Sequence, residues 1–393
     1  MIRIKTILPW ACALATAGLS AFPAFSQAPD SLINKLSAAE KKAGWISLFD
    51  GVDPKVEWRA GVNGTTLDWK VEDGALTPSG AVTEVFSKQS YGDFEWSVEW
   101  KLGLKGNSGM FFRVNPQVGR FCSSSEYAIL DDVNGDDRTE LGHMPGQTQT
   151  PIKRSGACYD LYPTTHNGGV DSPYVLVSKP YDQWSRGVIW AEGAHIEHWL
   201  NDQKVVDYEL FTGDWNTRFS LSKYPAMCTA YPDKWMRAPS GLIGLQDHGG
   251  GLRVWFRNLK IRPFTPGEKL VSPLITPAGG LEAAPVKVVL EAAVTGSVIR
   301  YTLDGSLPTE PSPIYTGPLT LDRNTTLKAR TFRNRFSPSD VTTEVYVFKT
   351  TGLQSESGRA AASAPGTKNE KGPGRDARGR GLDREGAGRT IRY

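Results

Sequence analysis

The stretch Phe94-Glu95-Trp96-Ser97-Val98-Glu99-Trp100-Lys101-Leu102 alternates apolar and polar residues without a break. Successive side chains of a strand point to opposite faces of its sheet, so this alternation predicts one half-buried strand of an antiparallel sheet. Ile196 to Leu210 predicts two more strands, joined at Asn201-Asp202, a pair that tolerates positive φ. Gly251 to Ile261 predicts another strand with the same alternation.

Short aromatic-rich strands separated by glycine turns are typical of an all-β sandwich. The chain has no alternation of strands with long helical segments and no glycine-rich phosphate loop, which argues against a nucleotide-dependent enzyme. The expected fold class is therefore all-β.

The N-terminus has the order of a secretory signal peptide, which we place at residues 1–26. Arg3 and Lys5 precede the uncharged apolar run Thr6 to Phe22, and Ala24-Phe25-Ser26 offers small residues for cleavage. A membrane anchor is the competing interpretation, but no stop-transfer charges follow the run. We expect no transmembrane segment in the mature protein and a secreted or periplasmic location.

The rest of the chain divides by composition. Residues 27–43 predict a helical lead-in, because Ser37-Ala38-Ala39-Glu40 has the pattern of a helix start. Residues 44–264 form the large β domain, and a proline-rich linker at 265–284 leads to a small β unit at 285–350. Residues 351–393 contain few large apolar side chains, which predicts a disordered tail.

Charge is unevenly distributed along the chain. The formal net charge of the chain is +3. The tail holds nine Lys or Arg and five Asp or Glu, so its net charge is +4, and the signal peptide adds +2. The remaining chain is therefore mildly acidic, which argues against a nucleic-acid partner. The basic tail predicts contact with an acidic component of the cell envelope, with a merely solvated tail as the alternative.

Three cysteines remain after removal of the signal peptide: Cys122, Cys158 and Cys228. An odd number allows at most one internal disulfide, and the sequence leaves open which pair forms it. Their spacing does not match a zinc site.

A series of motifs follows in a fixed order along the large domain. They are Gly44-Trp45-Ile46-Ser47-Leu48-Phe49-Asp50-Gly51, Trp69-Lys70-Val71-Glu72-Asp73-Gly74, Tyr91-Gly92-Asp93-Phe94-Glu95, Gly106-Asn107-Ser108-Gly109-Met110-Phe111-Phe112-Arg113, Glu126-Tyr127-Ala128-Ile129-Leu130-Asp131, Ser155-Gly156-Ala157-Cys158-Tyr159-Asp160, Ile196-Glu197-His198-Trp199-Leu200-Asn201, Gly244-Leu245-Gln246-Asp247-His248-Gly249 and Phe256-Arg257-Asn258-Leu259-Lys260. In this order the domain resembles the 3-keto-disaccharide hydrolase family. The resemblance implies a concanavalin A-like jelly roll and cleavage of glycosides oxidised at the third carbon of the sugar.

Two positions depart from the family pattern. Ala128 stands where the family usually has Gln, and Asn201-Asp202 stands where it usually has Asn-Gly. The segment Arg218 to Ala238 is also longer and more aromatic than the resemblance leads us to expect, which predicts a substrate wall or lid.

The small unit resembles the chitobiase/β-hexosaminidase C-terminal domain. The residues that carry this resemblance are Gly296-Ser297-Val298-Ile299-Arg300-Tyr301-Thr302-Leu303-Asp304-Gly305 and Ile314-Tyr315-Thr316-Gly317-Pro318. The resemblance implies a small immunoglobulin-like sandwich that accompanies extracellular sugar enzymes.

A ketone on the sugar acidifies the neighbouring carbon-bound proton, so such an enzyme needs a base and a donor for the resulting enolate oxygen. Strand alternation places Glu126 on the open face, opposite Tyr127 and Ile129. Our predicted catalytic residues are Glu126, His198, His248 and Arg113, with Arg113 as the anion clamp. The alternatives are an ion pair of Arg113 with Glu126, a core position for His198 and a turn cap for His248.

Polar and aromatic residues of the same motifs are the predicted substrate contacts: Ser108, Tyr159, Glu197, Trp199, Gln246 and Asp247. We expect no cofactor and no metal site. The acidic loop Asp131, Asp132, Asp136 and Asp137 misses the calcium-loop spacing, although a divalent metal such as calcium is left open.

The sequence therefore predicts an exported enzyme that cleaves 3-keto-glycosides or 3-keto-disaccharides by proton abstraction and elimination or hydrolysis. The partner is an oligosaccharide or glycoside. The rival hypothesis is a non-catalytic lectin-like protein of the cell envelope, because one fold can serve both roles.

Overall fold

A computed structural model describes residues 30–349 except 63, 65–66, 68, 81–83, 140–151, 165–176 and 232. The predicted signal peptide and the predicted disordered tail lie outside the described residues. Within the described part of the chain, no helix is both long enough and apolar enough to cross a bilayer.

The described part of the large domain contains thirteen strands. They are β1 (Ile46–Ser47), β2 (Trp58–Ala60), β3 (Trp69–Glu72), β4 (Ala75–Pro78), β5 (Val85–Tyr91), β6 (Phe94–Leu102), β7 (Asn107–Val114), β8 (Glu126–Leu130), β9 (Ser185–Glu192), β10 (His195–Leu200), β11 (Gln203–Glu209), β12 (Gly241–Leu245) and β13 (Val254–Pro263).

The strands pair antiparallel in two sheets. The eight-stranded sheet has the order β11-β10-β9-β6-β13-β4-β3, with β1 also paired to β13. The five-stranded sheet has the order β2-β5-β12-β7-β8. Apolar side chains of both sheets form one buried core between them, including Trp96, Phe112, Tyr127 and Ile243. The all-β sandwich predicted from the alternation is confirmed.

Strand β6 has the predicted bounds but is buried on both faces. Its polar face is covered, because Glu95 and Glu99 are buried and their carboxylates pair with Arg262 and Arg257. The prediction of a half-buried strand was therefore wrong about the exposure of the polar face. Alternation shows which face is apolar, but it does not show whether charged neighbours cover the other face.

Short helices and a tight turn complete the domain. The helices are α1 (Ala38–Lys42), α2 (Gly213–Leu221) and α3 (Tyr224–Met227), with 3-10 turns at Asp30–Leu32, Pro54–Val56 and Asp136–Thr139. Ser37 and Glu40 cap α1 reciprocally, as their spacing predicts. Asn201 and Asp202 both adopt positive φ between β10 and β11, which confirms the predicted turn.

Two further sheets form the small unit. Its strands are β14 (Leu274–Thr276), β15 (Leu281–Glu282), β16 (Val286–Glu291), β17 (Val298–Thr302), β18 (Leu319–Leu321), β19 (Thr325–Phe332) and β20 (Thr342–Phe348). One sheet has the order β14-β16-β18 and the other β15-β20-β19-β17. Their shared core includes Val288, Leu327 and Tyr346. The expected linker at 265–284 thus contains two strands, β14 and β15, that pair within the small unit.

The small unit packs on the outer face of the eight-stranded sheet. Trp190 of β9 contacts Phe264 and Phe336, at ring-centroid distances of 4.4 and 5.4 Å. The Glu95 carboxylate accepts a hydrogen bond from the backbone of Thr295, at 2.8 Å. The indole of Trp45 donates to the carbonyl of Ala293, at 2.7 Å. Apolar and polar contacts together hold the two sandwiches as one compact unit.

Candidate active site

A cleft of about 210 Å³ opens on the outer face of the five-stranded sheet, away from the small unit. Strands β7 and β8 and the segment after β12 form its floor, and loops after β7 and β8 form its walls. Its lining residues are Glu84, Asn107, Arg120, Phe121, Glu126, Tyr159, Lys223, Gln246, Asp247 and His248.

Glu126 is the titratable centre of this cleft. Tyr127 and Ile129 are fully buried in the core, so the alternation of β8 turns Glu126 to the opposite face, as predicted. Burial raises the pKa of Glu126 to about 7, and the charges of Arg120 and Lys223 only partly oppose that rise. Among the described residues no side chain hydrogen-bonds to this carboxylate. Glu126 can therefore hold or release a proton near neutral pH.

Gly109 makes room for the Glu126 side chain. A Cβ atom at Gly109 would lie 2.6 Å from Oε1 and 2.7 Å from Cγ of Glu126. Gly109 lies opposite Ala128 and Phe111 lies opposite Glu126, so Gly109 and Glu126 are diagonal neighbours on β7 and β8. The absence of a side chain at Gly109 thus sets the position of the carboxylate.

Gln246, Asp247 and His248 line the cleft just beyond the end of β12. Gln246 is buried, and its Oε1 has no hydrogen-bond partner in the described structure. Ser108 is fully buried and donates to the carbonyl of Gln246, at 2.7 Å. His248 is exposed at the cleft mouth. Ser108 therefore acts on the cleft by positioning the backbone of Gln246.

Arg120 supplies fixed positive charge beside Glu126. Its guanidinium lies 3.6 Å from the ring centroid of Phe121 and 4.6 Å from that of Phe111. Its Nε donates to Oε1 of Glu84, at 2.6 Å. The side chain is 10% exposed, and Nη1 is buried without a partner in the described part of the chain.

A disulfide between Cys122 and Cys228 links the two walls that carry positive charge. Cys122 follows Phe121 in sequence, and Cys228 ends α3, which begins next to Lys223. Cys158 is a buried free thiol whose pKa burial raises to about 12. The segment Arg218 to Ala238 does form a wall, but Tyr224 and Trp235 pack on each other in the core.

The opposite wall carries hydrogen-bonding groups. The Tyr159 hydroxyl donates to the Asp137 carboxylate, at 3.2 Å, and the Lys223 ammonium lies 4.2 Å from the Tyr159 ring centroid. Asn107 also donates to Asp137, at 3.4 Å. Lys223 is exposed at the rim, yet partial removal from water lowers its pKa.

Arg113 lies outside the cleft, contrary to the predicted anion clamp. It has positive φ at a register shift between β7 and β12, and this bulge redirects its side chain. The guanidinium donates to the carbonyls of Gly92 and Gly193, at 3.0 and 2.6 Å, and pairs with Asp93. The predicted alternative, an ion pair with Glu126, is also absent among these contacts.

His198 lies in the core between the sheets. It is fully buried between Tyr127 and Tyr208, and Nδ1 lies 2.9 Å from the carbonyl of Gly156. Burial lowers its pKa to about 4, so the ring is neutral at physiological pH. The structure favours the core alternative over a catalytic position.

Glu197 and Trp199 lie at the contact with the small unit, on the face opposite the cleft. Glu197 pairs with Arg333, at 2.8 Å, and Trp199 donates to Glu197, at 2.8 Å. Burial acts to raise the pKa of Glu197. Hydrogen bonds from His195 and Trp199 and the charge of Arg333 outweigh it and hold that pKa well below its usual range. Gly296 admits the Trp199 ring, since a Cβ there would lie 2.8 Å from it. The structure therefore does not bring these two residues to the cleft.

Two groups of acidic side chains are candidate metal ligands. In the predicted acidic loop, Asp131 accepts hydrogen bonds from the backbone of Lys105, Val133 and Asn134, and Asp132 accepts from Ser155 and Ser178. These donors hold the loop. Separately, ligand atoms of His195, Glu197 and Asp207 lie within 4.8 Å of one another, outside the cleft. Glu197 of that group is already engaged by Arg333.

The comparisons with known proteins cover both sandwiches. Residues 44–262, more than half of the chain, match the family model of the 3-keto-alpha-glucoside-1,2-lyase-like domain. The chain belongs to this family. Residues 277–343 match the family model of the chitobiase/beta-hexosaminidase C-terminal domain. Both predicted resemblances are confirmed.

Three individual proteins are also similar to this chain. A 3-keto-disaccharide hydrolase of Bacteroides thetaiotaomicron is 26% identical over 245 residues, which span 56% of this chain and 78% of the relative. A candidate glycosyl hydrolase of Parabacteroides distasonis is 27% identical, with a TM-score of 0.48, and the match spans 59% of this chain and 99% of the other. A second candidate glycosyl hydrolase of that organism is 22% identical, with a TM-score of 0.40. That match spans 53% of this chain and 100% of the other.

Four lining residues of the cleft were not predicted from the sequence: Arg120, Lys223, Asn107 and Glu84. Arg120, Lys223 and Glu84 lie outside regular strands, where alternation gives no face. The sequence Arg120-Phe121-Cys122, in which a cation and an aromatic residue precede a cysteine, could have indicated Arg120 as a site residue.

Proposed function

We propose that this chain is a carbohydrate-active enzyme that cleaves 3-keto-glycosides by proton abstraction at the carbon next to the ketone, followed by elimination and hydration. The family match supports action on carbohydrate. The observation that carries the proposal is Glu126, a carboxyl group with a pKa of about 7 in a cleft lined by polar side chains, of which Gln246 Oε1 has no hydrogen-bond partner in the described part of the chain.

The proposed reaction uses one group in both protonation states. The Glu126 carboxylate takes the proton from the second carbon, and the electron pair of that C–H bond forms an enolate on the ketone oxygen. The carbonyl then re-forms, a double bond forms between the first and second carbons, and the glycosidic C–O bond breaks. The departing oxygen takes up the proton that Glu126 received. Water adds to the double bond, so the net result is hydrolysis.

The other cleft residues fit a polyhydroxylated ligand. Gln246 offers a buried unpartnered carbonyl oxygen that can accept from a sugar hydroxyl, and Asn107 and Tyr159 add further polar groups. Burying the Gln246 oxygen without a partner is unfavourable, so a ligand hydroxyl that pairs with it is favoured. We assign His248, at the mouth, to passing the proton from Glu126 to the departing oxygen.

The proposal includes export from the cytoplasm. Disulfides persist in oxidising compartments, and the pair Cys122–Cys228 agrees with the signal peptide predicted from Arg3 to Ser26.

The test compares a nitrophenyl 3-keto-glucoside with the unoxidised nitrophenyl glucoside. We expect nitrophenol release from the keto compound alone. Deuterium at the second carbon should slow release, because that C–H bond breaks in the proposed reaction. Glu126→Gln should lower kcat about 10²- to 10⁴-fold. The matched control is Glu310→Gln on the exposed surface of the small unit.

Release from the unoxidised glucoside without an isotope effect would indicate an ordinary glycosidase and overturn the mechanism. Sugar binding with no release from any keto substrate would support the lectin-like hypothesis instead. Calorimetric titration with the unoxidised glucoside measures that binding directly.

A further inference from the structure

Arg120 lines the cleft, is held by two aromatic rings and an ion pair, and has one nitrogen without a hydrogen-bond partner in the described part of the chain. The rings of Phe111 and Phe121 pack against its guanidinium, and Glu84 fixes its Nε. A stacked, ion-paired guanidinium loses little conformational freedom when it binds a ligand. Its charge is therefore preorganised before any substrate arrives.

Arg120 also has unused hydrogen-bonding capacity at the cleft. Its Nη1 is buried and has no partner in the described part of the chain, whereas its Nε and Nη2 both contact Glu84. A buried donor without a partner is costly, and an anionic oxygen is its strongest acceptor. Arg120 is thus a cleft-lining charged group with one nitrogen that no described residue hydrogen-bonds.

The charge of Arg120 acts on the catalytic carboxyl group. Arg120 is the largest of the electrostatic influences that oppose the burial-raised pKa of Glu126. The two groups are therefore close enough to interact within one cleft. A proton taken by Glu126 leaves negative charge on the ketone oxygen, in the field of Arg120.

We propose that Arg120 is the catalytic residue that holds the enolate oxygen while Glu126 carries the abstracted proton, and that Glu84 is its positioning residue. The inference rests on the proposed function. It gives Arg120 the role that the sequence suggested for Arg113. Donors that are fixed where charge develops stabilise the transition state more than the ground state.

The first arm of the test measures turnover of the nitrophenyl 3-keto-glucoside. Arg120→Ala should lower kcat about 10²- to 10³-fold with a smaller change in KM, because the clamp acts on the developing charge. Methylguanidinium in solution should restore part of the lost rate. Glu84→Gln should also impair turnover, but its effects on KM and on kcat should both be smaller than those of Arg120→Ala.

The matched control is Arg253→Ala. Arg253 also stacks on an aromatic ring, Trp255, at 4.3 Å, and pairs with Glu72, at 2.7 Å, but it lies next to β13 of the other sheet. The control should keep wild-type kcat. If Arg120→Ala resembles this control while Glu126→Gln is inactive, the clamp is refuted and the proposed function stands.

The second arm needs no turnover. Removing the Arg120 charge should raise the pKa of Glu126 above about 7, whereas Arg120→Lys should keep it near the wild-type value. Carbon-13 NMR of labelled glutamate gives this titration directly. An unchanged Glu126 titration in Arg120→Ala would overturn the inference. Absence of turnover in the wild type would overturn the proposed function and the clamp with it.

Discussion

The Glu126 carboxyl group makes the stability of the fold depend on pH. Its pKa is about 7 in the folded protein and about 4.5 in the unfolded chain. Between these values the folded state keeps a proton that the unfolded state has lost, so this group's contribution to stability is full below pH 4.5 and is lost as the pH rises through 7.

Glu126→Gln should remove that dependence. At pH 8 the variant should be more stable than the wild type, by up to about 3 kcal/mol, and at pH 4 the two should match. Urea unfolding at both pH values checks this. Equal stability at pH 8 would contradict the raised pKa.

A single methyl group at Gly109 should displace the catalytic carboxylate. Gly109→Ala places a Cβ within 2.6 Å of Glu126 Oε1, and a shift of about 1 Å in a catalytic group can cost about 10²-fold in kcat. Gly213→Ala is the control, since a Cβ there meets nothing within 4 Å. The comparison requires kcat and melting temperature for both variants. Unchanged kcat in Gly109→Ala would show that the carboxylate adapts.

Strand parity located some of these residues and misplaced others. It placed Glu126 correctly because β8 is regular and its neighbours Tyr127 and Ile129 are apolar. It failed at Arg113, where positive φ breaks the alternation. The presence of such a bulge depends on the register between β7 and β12, which one strand's sequence does not encode.

At the scale of elements, the Cys122–Cys228 disulfide is the main covalent constraint on the cleft walls. It closes a loop with a sequence separation of 106 residues. Removing it should cost about 2–5 kcal/mol of unfolding free energy.

The Cys122→Ser, Cys228→Ser double variant tests this constraint. Reductant should destabilise the wild type to the level of the double variant and leave the variant unchanged, as measured by urea unfolding. We also expect lower kcat, because Phe121 and Lys223 adjoin the bridged segments. Full stability in reductant would show that the bridge is not needed.

Turns and helix ends were predictable where they depend on residues that are close in sequence. The turn at Asn201-Asp202 and the capping box at Ser37 agree with the structure, since both depend on residues that are close in sequence. The predicted helical lead-in at residues 27–43 was too long for an α-helix. The helix begins at Ala38, because Ser37 and Glu40 cap it there.

At the scale of the whole molecule, Arg333 joins the two sandwiches. Its Nη2 lies 2.8 Å from Glu197, its guanidinium lies 3.9 Å from the Trp190 ring centroid, and both partners of the ion pair are over nine-tenths buried. Removing one partner of a buried pair typically costs about 3–5 kcal/mol.

Arg333→Ala should therefore lower the melting temperature of the full chain. Turnover at temperatures below unfolding should stay unchanged, because Arg333 lies on the side opposite the cleft. Arg323→Ala is the control, since that side chain is 82% exposed. Loss of kcat in a fully folded Arg333→Ala protein would show that the small unit acts on the cleft.

The two sandwiches were predictable from strand patterns and family motifs, but their contact was not. Glu197 and Trp199 have the polar and aromatic character of sugar-binding residues, yet they face the small unit. Residues that bind a sugar and residues that bind a neighbouring domain share the same chemistry. Only the packing of distant segments distinguishes them.

The position of the small unit also determines how the protein can be attached to a support. The described chain ends at Lys349 in the small unit, while the cleft opens on the other side of the large sandwich. A tag or resin linkage placed after Lys349 therefore keeps the support away from the cleft. Immobilised in that orientation, the protein presents its cleft to the surrounding solution.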